Sequence, residues 1–156
     1  MTDQTFLADC MLGKLARWLR IVGYDTRYFR HAEDHTLIAV ARFEGRTLLT
    51  KDQALFKRAQ EIAYFVQAES LTLQLREILL HFGLPLRLSH TRCPSCNAAL
   101  LPVPPQKAKA HVPLFVSLSF EEFKQCPHCQ KIYWPGTHWQ RILQICQELP
   151  DPKTPF

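Results

Sequence analysis

GRTLLTKDQAL, residues 45–55, decides how the first half of the chain is read. Thr47, Leu48 and Leu49 form a short apolar run of the kind buried inside a sheet, and a helical pattern begins soon after it. Lys51 and Asp52 stand between the two. A buried strand that delivers a carboxylate at its tip raises the question whether other carboxylates arrive at the same place.

The same alternation extends outward in both directions. TFLA (5–8), DTRYF (25–29), RTLLT (46–50) and AYFVQA (63–68) read as strands. MLGKLARWLRIVG (11–23), HTLIAVARFEG (35–45), QALFKRAQE (53–61) and LTLQLREILLHFG (71–83) read as helices. In the first helix Leu12, Leu15, Ala16 and Leu19 make one apolar stripe at helical spacing, and Gly23 suits its C-cap. Strands alternating with helices over short loops imply a parallel sheet covered on both faces, so residues 1–88 are expected to form a doubly wound α/β unit.

Near Pro85 the texture changes, and LPLRLSHTR (84–92) reads as a connector. CPSC (93–96) and CPHC (126–129) follow, separated by 29 residues. Each CxxC makes a compact turn aiming two thiolates at one ion. Two such turns make an S₄ site for structural Zn²⁺ held by Cys93, Cys96, Cys126 and Cys129. A redox reading of the pairs is the rival, and it lacks a thioredoxin-like setting. Residues 89–146 are therefore expected to be a zinc-ribbon module, with HVPLFVSLSF (111–120) as a candidate hairpin between the turns. Cys10 and Cys146 read as plain small apolar residues, and residues 147–156 as a flexible Pro-rich tail.

The chain has 156 residues, 47% apolar and 21% charged, with net charge +5. That suits a folded protein and permits a nucleic-acid partner without demanding one. No apolar run approaches the roughly 20 residues of a membrane span. MTDQTFLADC has no basic region of the secretory kind, so a cytoplasmic location is expected, which also disfavours disulfides.

Ligands of parallel α/β sheets bind outside the C-terminal ends of the strands. Asp9 ends strand one, Asp34 lies in the loop RHAEDH after strand two, and Asp52 follows strand three. Three acids on one rim could hold Mg²⁺ or Mn²⁺ through hard oxygen ligands. Taken singly, each reads as a helix N-cap before a metal ligand, and only together do they favour the metal; Glu33 is an accessory acid or, in preference, a solvated loop charge. Lys14, Arg17 and Trp18 share one face of the first helix, and Lys51 adjoins Asp52. The basic groups could position phosphates or simply be solvated.

FLADCMLGKLARWLRIVGYDT, GRTLLTKD, RCPSCN and CPHCQKIYWPGTHW together resemble the Mut-seven C-terminal RNase domain family, from Phe6 to about His138. The resemblance implies a PIN-like nuclease domain followed by a zinc ribbon, and a metal-dependent ribonuclease acting on single-stranded RNA. Asp9 and Asp52 fall on family acids, and Asp34 is placed by its loop. A fourth acid, usual in PIN domains, is absent from DQALFKRA, where Gln53 and Arg58 stand instead. That leaves one-metal catalysis and a vestigial site both open. Tyr133, Trp134 and Trp139 could stack bases or dock the ribbon, docking being favoured for Trp134, and His138 could touch a phosphate.

The expected function is hydrolysis of phosphodiester bonds in single-stranded RNA. Asp9, Asp34 and Asp52 would be catalytic around Mg²⁺ or Mn²⁺, and Lys14, Arg17, Lys51 and His138 would bind substrate. The cleavage is expected to be endonucleolytic; the sequence leaves exonucleolytic action open, as it does a protein inhibitor of the antitoxin kind. The alternative is a non-catalytic RNA-binding or adaptor protein. A phosphatase or receiver-like domain ranks last, because no DxD follows strand one.

Overall fold

The computed structural model describes residues 3–86, 91–136, 140, 141, 144, 147 and 148. Its first half contains strands β1 (Phe6–Ala8), β2 (Thr26–Tyr28), β3 (Thr47–Thr50) and β4 (Ala63–Phe65), all parallel, in the order β2-β1-β3-β4. Between and after them run helices α1 (Gly13–Ile21), α2 (Asp34–Glu44), α3 (Gln53–Arg58) and α4 (Leu71–His81).

Side chains of a strand alternate between faces, so one strand feeds two cores. Phe6, Ala8 and Leu49 pack with Leu15, Leu19, Leu75 and Ile78, beneath α1 and α4. Leu7 and Leu48 pack with Leu37, Ala41 and Leu55, beneath α2 and α3. The central strands β1 and β3 are thus apolar on both sides, as a doubly covered parallel sheet requires. The expected stripe Leu12, Leu15, Ala16 and Leu19 is buried throughout. Gly45 closes α2 at φ +65°, a backbone conformation that glycine adopts without a Cβ penalty.

The second half carries an antiparallel sheet, β5 (Leu101–Val103), β6 (Phe123–Gln125) and β7 (Ile132–Tyr133), in that order. The candidate hairpin at 111–120 is absent. That stretch holds a helix, α6 (Leu114–Ser119), preceded by α5 (Pro105–Ala108) and a 3₁₀ turn at Lys109–His111. Its apolar positions 112, 114, 116, 118 and 120 satisfy a two-residue period. However, Val112, Val116 and Phe120, four apart, are the ones packed with Phe123, while Leu114 and Leu118 are exposed. The helical subset prevailed, helped by Pro104 and Pro113 at the N-caps of α5 and α6. Trp134 packs in this same small core with Val116, Phe123 and Ile132, rather than serving as the expected dock between the two halves.

The halves meet instead at the N-terminal end of edge strand β2. The backbone N–H of Thr26 points away from β1 and donates to Asn97 Oδ1 at 3.0 Å, which covers the open edge. Asn97 Nδ2 donates to Asp25 Oδ1 at 2.6 Å. Asp25 also receives Arg46 Nη1 at 2.7 Å and Nη2 at 3.2 Å, and Arg92 Nη2 lies 4.0 Å away. Buried Arg20 donates from Nε to Thr26 O and from Nη1 to the carbonyls of Pro94 and Ser95. Residues 87–90 of the expected connector and 149–156 of the expected tail lie outside the described residues. Among the described residues no helix is long and apolar enough to cross a membrane.

Burial raises the Asp25 pKa, but the Arg46 and Asn97 hydrogen bonds outweigh it and the net shift is downward. A depressed carboxyl contributes stability above its unfolded pKa, about 4, and that contribution is lost as pH falls through the folded value. Asp25→Asn is expected to cost about 2–3 kcal/mol at pH 7. The gap from wild type should close as pH drops below about 4, as urea denaturation at a series of pH values would record.

Candidate active-site rim and cysteine centre

β1 connects leftward to β2 through α1 on one face, and β3 connects rightward to β4 through α3 on the other. Chains leaving two adjacent strands toward opposite faces open a crevice at the C-terminal ends of those strands. Asp9 and Asp52 both lie at that switch point. The Asp9 N–H continues the β1–β3 ladder by donating to Leu49 O at 2.9 Å. Its carboxylate is buried, and Oδ2 accepts from Thr50 Oγ1 at 2.8 Å. The Thr50 hydroxyl in turn accepts from Asp52 N at 2.9 Å. One hydroxyl therefore ties the two acidic turns together.

Asp52 Oδ1 accepts from the N–H groups of Ala54 and Leu55 at 2.8 and 3.2 Å, making Asp52 the N-cap of α3. Its Oδ2 lies outside that cap. Asp34 does not cap. It is the first residue of α2, and its Oδ2 accepts from Arg58 Nη1 at 3.2 Å. Glu33 pairs with His35 on the surface. Among the described residues, the four cysteines are the group of three or more metal-ligating side chains whose donor atoms all lie within 4.8 Å of one another. Asp9, Asp34 and Asp52 are not drawn together so closely. The structure links Asp9 with Asp52 and leaves Asp34 on Arg58.

Lys14 and Arg17 are exposed on α1, while Trp18 lies half-buried against the core. The start of α1 is held close to β2, because the Tyr28 hydroxyl donates to Cys10 O at 2.9 Å and a Cβ on Gly13 would come within 2.9 Å of the Tyr28 ring. Cys10 is exposed rather than packed, and its thiol pKa is raised first by a hydrogen bond to Asp9 and then by burial. Lys51 is committed elsewhere. Its Nζ donates to Ala68 O at 2.9 Å and Gln67 O at 3.4 Å, and pairs with Glu69 at 3.3 Å. The same loop is gripped from α4 by Glu77, which accepts from the N–H groups of Gln67 and Ala68 and from Tyr64 Oη. Burial and the Glu77 carboxylate push the Tyr64 hydroxyl up to about 12. A shallow cleft of about 470 Å³ lies at the opposite, N-terminal rim, beside Arg42, Arg46 and His81. Both of its arginines are already paired with acids.

The cysteine centre is built from two matching turns. Asn97 N donates to Cys93 O and Cys93 N to Ala98 O; Gln130 N donates to Cys126 O and Cys126 N to Lys131 O. Each turn exits through a left-handed residue, Asn97 at φ 68° and Gln130 at φ 63°. A tetrahedral zinc with Zn–S near 2.3 Å puts its sulfurs about 3.8 Å apart. Here Cys93 and Cys129 Sγ are 3.7 Å apart, Cys96 and Cys126 Sγ 3.2 Å apart, and all four lie within 4.8 Å. The N–H groups of His128 and Cys129 point at Cys126 Sγ, each at 3.4 Å. Burial raises the Cys93 thiol, but the Tyr133 hydroxyl at 3.0 Å and the N–H groups of Cys96 and Ser95 outweigh it and bring it down to about 6. Burial and the Cys126 thiol push the Cys96 thiol up to about 12, so it is the donor chemistry and the spacing that suit a zinc ion. His138, Trp139 and Cys146 lie outside the described residues.

With the geometry in place, the comparisons are specific. The model of the Mut7-C RNAse domain matches residues 4–146. The chain belongs to the Mut7-C RNAse domain family. A Mut7-C relative, the exonuclease mut-7 homolog of Homo sapiens, is 40% identical over 101 residues, covering 58% of this chain and 11% of that protein. The chain thus spans about a tenth of that relative's length. No solved structure matches the chain. Membership supports a nuclease-type function for this Mut7-C chain.

Thr50, Glu77 and Asn97 were not singled out from the sequence. Thr50 carries a faint signal, a hydroxyl in the last position of a fully buried strand just before an acid. Thr50→Val removes the donor to the buried Asp9 carboxylate at nearly constant volume and should cost about 1–3 kcal/mol in denaturant unfolding. Thr50→Ser, which retains the hydroxyl, should lie much closer to wild type.

Proposed function

We propose that this chain is a metal-dependent ribonuclease that hydrolyses phosphodiester bonds of single-stranded RNA at the β1–β3 crevice. The observation that carries the reading is the Thr50 bridge, which ties the Asp9 carboxylate to the Asp52 backbone at the switch point of the sheet. Family membership and a relative named as an exonuclease support it. Carboxylate oxygens are the donor set that Mg²⁺ or Mn²⁺ takes. When bound there, such an ion supplies an activated water and neutralises charge at the scissile phosphate.

The chain's own residues have separable tasks. Asp52 uses Oδ1 to start α3, which leaves Oδ2 to hold the ion. Asp34 would join it on giving up Arg58, a pair whose side chains are 37% and 55% exposed, so the exchange would cost at most about 1 kcal/mol. Arg58 would then be free to act as a cation toward phosphate. Lys14 and Arg17 bind backbone phosphates, whereas Lys51 acts indirectly by pinning the 67–69 loop beside Asp52.

Asn caps a helix as well as Asp does, so Asp52→Asn separates capping from metal binding. Its unfolding midpoint should stay near wild type. Its Mn²⁺-dependent cleavage of single-stranded RNA should fall at least about 100-fold, a barrier change of roughly 3 kcal/mol. Asp9→Asn should behave alike in cleavage, and undiminished turnover in both would overturn the assignment. Lys14→Ala and Arg17→Ala should each lower the salt slope of RNA binding by about 0.7.

A second reading, a non-catalytic RNA-binding protein with a vestigial acid cluster, is favoured by the Asp34–Arg58 pair and by the missing fourth acid. It predicts the same salt-sensitive binding with no metal-dependent turnover in wild type.

A further inference from the structure

We propose that Arg20 is the counter-cation of the cysteine centre, and that zinc binding there and docking of the second module on β2 are one coupled event. The inference rests on reading the four thiols as a zinc site. Arg20 is 7% exposed. A guanidinium so deeply placed needs anionic charge nearby as well as acceptors for its N–H groups. Acceptors are present: Thr26 O at 2.7 Å, Pro94 O at 2.9 Å and Ser95 O at 3.2 Å. Among the described residues no carboxylate pairs with it directly; the charges acting on it are the Cys93 and Cys96 sulfurs and, after them, the Asp25 carboxylate. Four thiolates around a divalent ion leave two negative charges. Pro94 and Ser95 sit between the ligands Cys93 and Cys96, so the loop that Arg20 holds is the one that carries two sulfurs of that anionic centre.

Arg20 therefore grips the loop that carries two of the four ligands while its charge offsets the charge of the loaded centre. Asn97, the residue after Cys96, adds the second grip through Thr26 N and the Asp25 carboxylate. Both grips require the turn that the ion fixes. By linkage, the factor by which zinc favours docking is the factor by which docking favours zinc. Residues that never touch sulfur should thus set the affinity of the sulfur site.

The test uses the full chain. Zinc affinity is measured by competition with a chromophoric chelator, after Co²⁺ substitution has established tetrahedral thiolate coordination. Arg20→Gln and Asn97→Gly are each expected to weaken zinc binding by roughly ten- to a hundredfold. Asn97 sits at φ 68°, a conformation glycine accepts, so Asn97→Gly remains a usable variant even if Arg20→Gln fails to fold. In wild type, stripping zinc should speed amide exchange of Thr26 at least tenfold. The Leu48 amide, bonded to Ile62 O inside the sheet, should keep its protection. A wild-type chain that binds no metal at its thiols overturns both the zinc reading and the coupling. Zinc bound equally tightly by wild type and Asn97→Gly, or Thr26 exchange indifferent to zinc, overturns the coupling and leaves the zinc reading standing.

Discussion

A parallel sheet has two apolar faces, and neither can be left in water. Here that requirement is met by α1 and α4 on one side and α2 and α3 on the other. The chain can supply both covers only if it departs from β1 and β3 in opposite directions. The crevice between those departures follows from the covering, and so does the identity of the residues at its lip. Asp9 directly follows β1, and Asp52 follows β3 after Lys51, each where the chain leaves a strand whose interior had to be apolar. The fold and the candidate chemistry share one cause.

The α/β half was legible because its signals agree at every level. Apolar triplets marked strands, a helical stripe marked α1, and Gly45 marked the end of α2 where φ turns positive. The cysteine spacing was equally plain, since two CxxC turns have few uses in such a chain. The segment 111–120 was not legible, because its alternating valines, leucines and phenylalanine fit two periods at once. Only the position of Phe123 decided that Val112, Val116 and Phe120 should face inward together. Trp134 was misassigned for a related reason. A ribbon too small to bury much must spend its tryptophan on itself, and the dock was left to polar groups, Arg20, Asp25 and Asn97, whose pairing depends on distant contacts.

The acids show why a capping motif and a ligand motif are hard to tell apart. A loop that leaves a strand and enters a helix wants a carboxylate for the helix N-terminus, worth about 1 kcal/mol. The same loop stands where a metal would bind. Asp52 fulfils the first demand with one oxygen and keeps a second oxygen out of the cap. Asp9 caps nothing with its side chain and is buried on a hydroxyl, which a merely structural aspartate at a surface turn would not need. Asp34 lies between the two cases. Its partner Arg58 occupies the region of α3 where the family resemblance implies a fourth acid, so a cation stands in that acid's place.

The molecule has two poles. The acids lie at the C-terminal ends of the strands, and the first cysteine turn is fastened to the N-terminal end of β2. α1, nine residues and about 13 Å long, runs from one pole to the other. Lys14 stands near its acidic end and Arg20 near its cysteine end, with Arg17 between them on the exposed side. The Tyr133 hydroxyl is engaged with Cys93, and Trp134 is half-buried in the ribbon core. On the proposed function, a strand of RNA at the crevice would meet the exposed Lys14 and Arg17 of α1 first, and any contribution of the ribbon would depend on the dock that holds it beside β2.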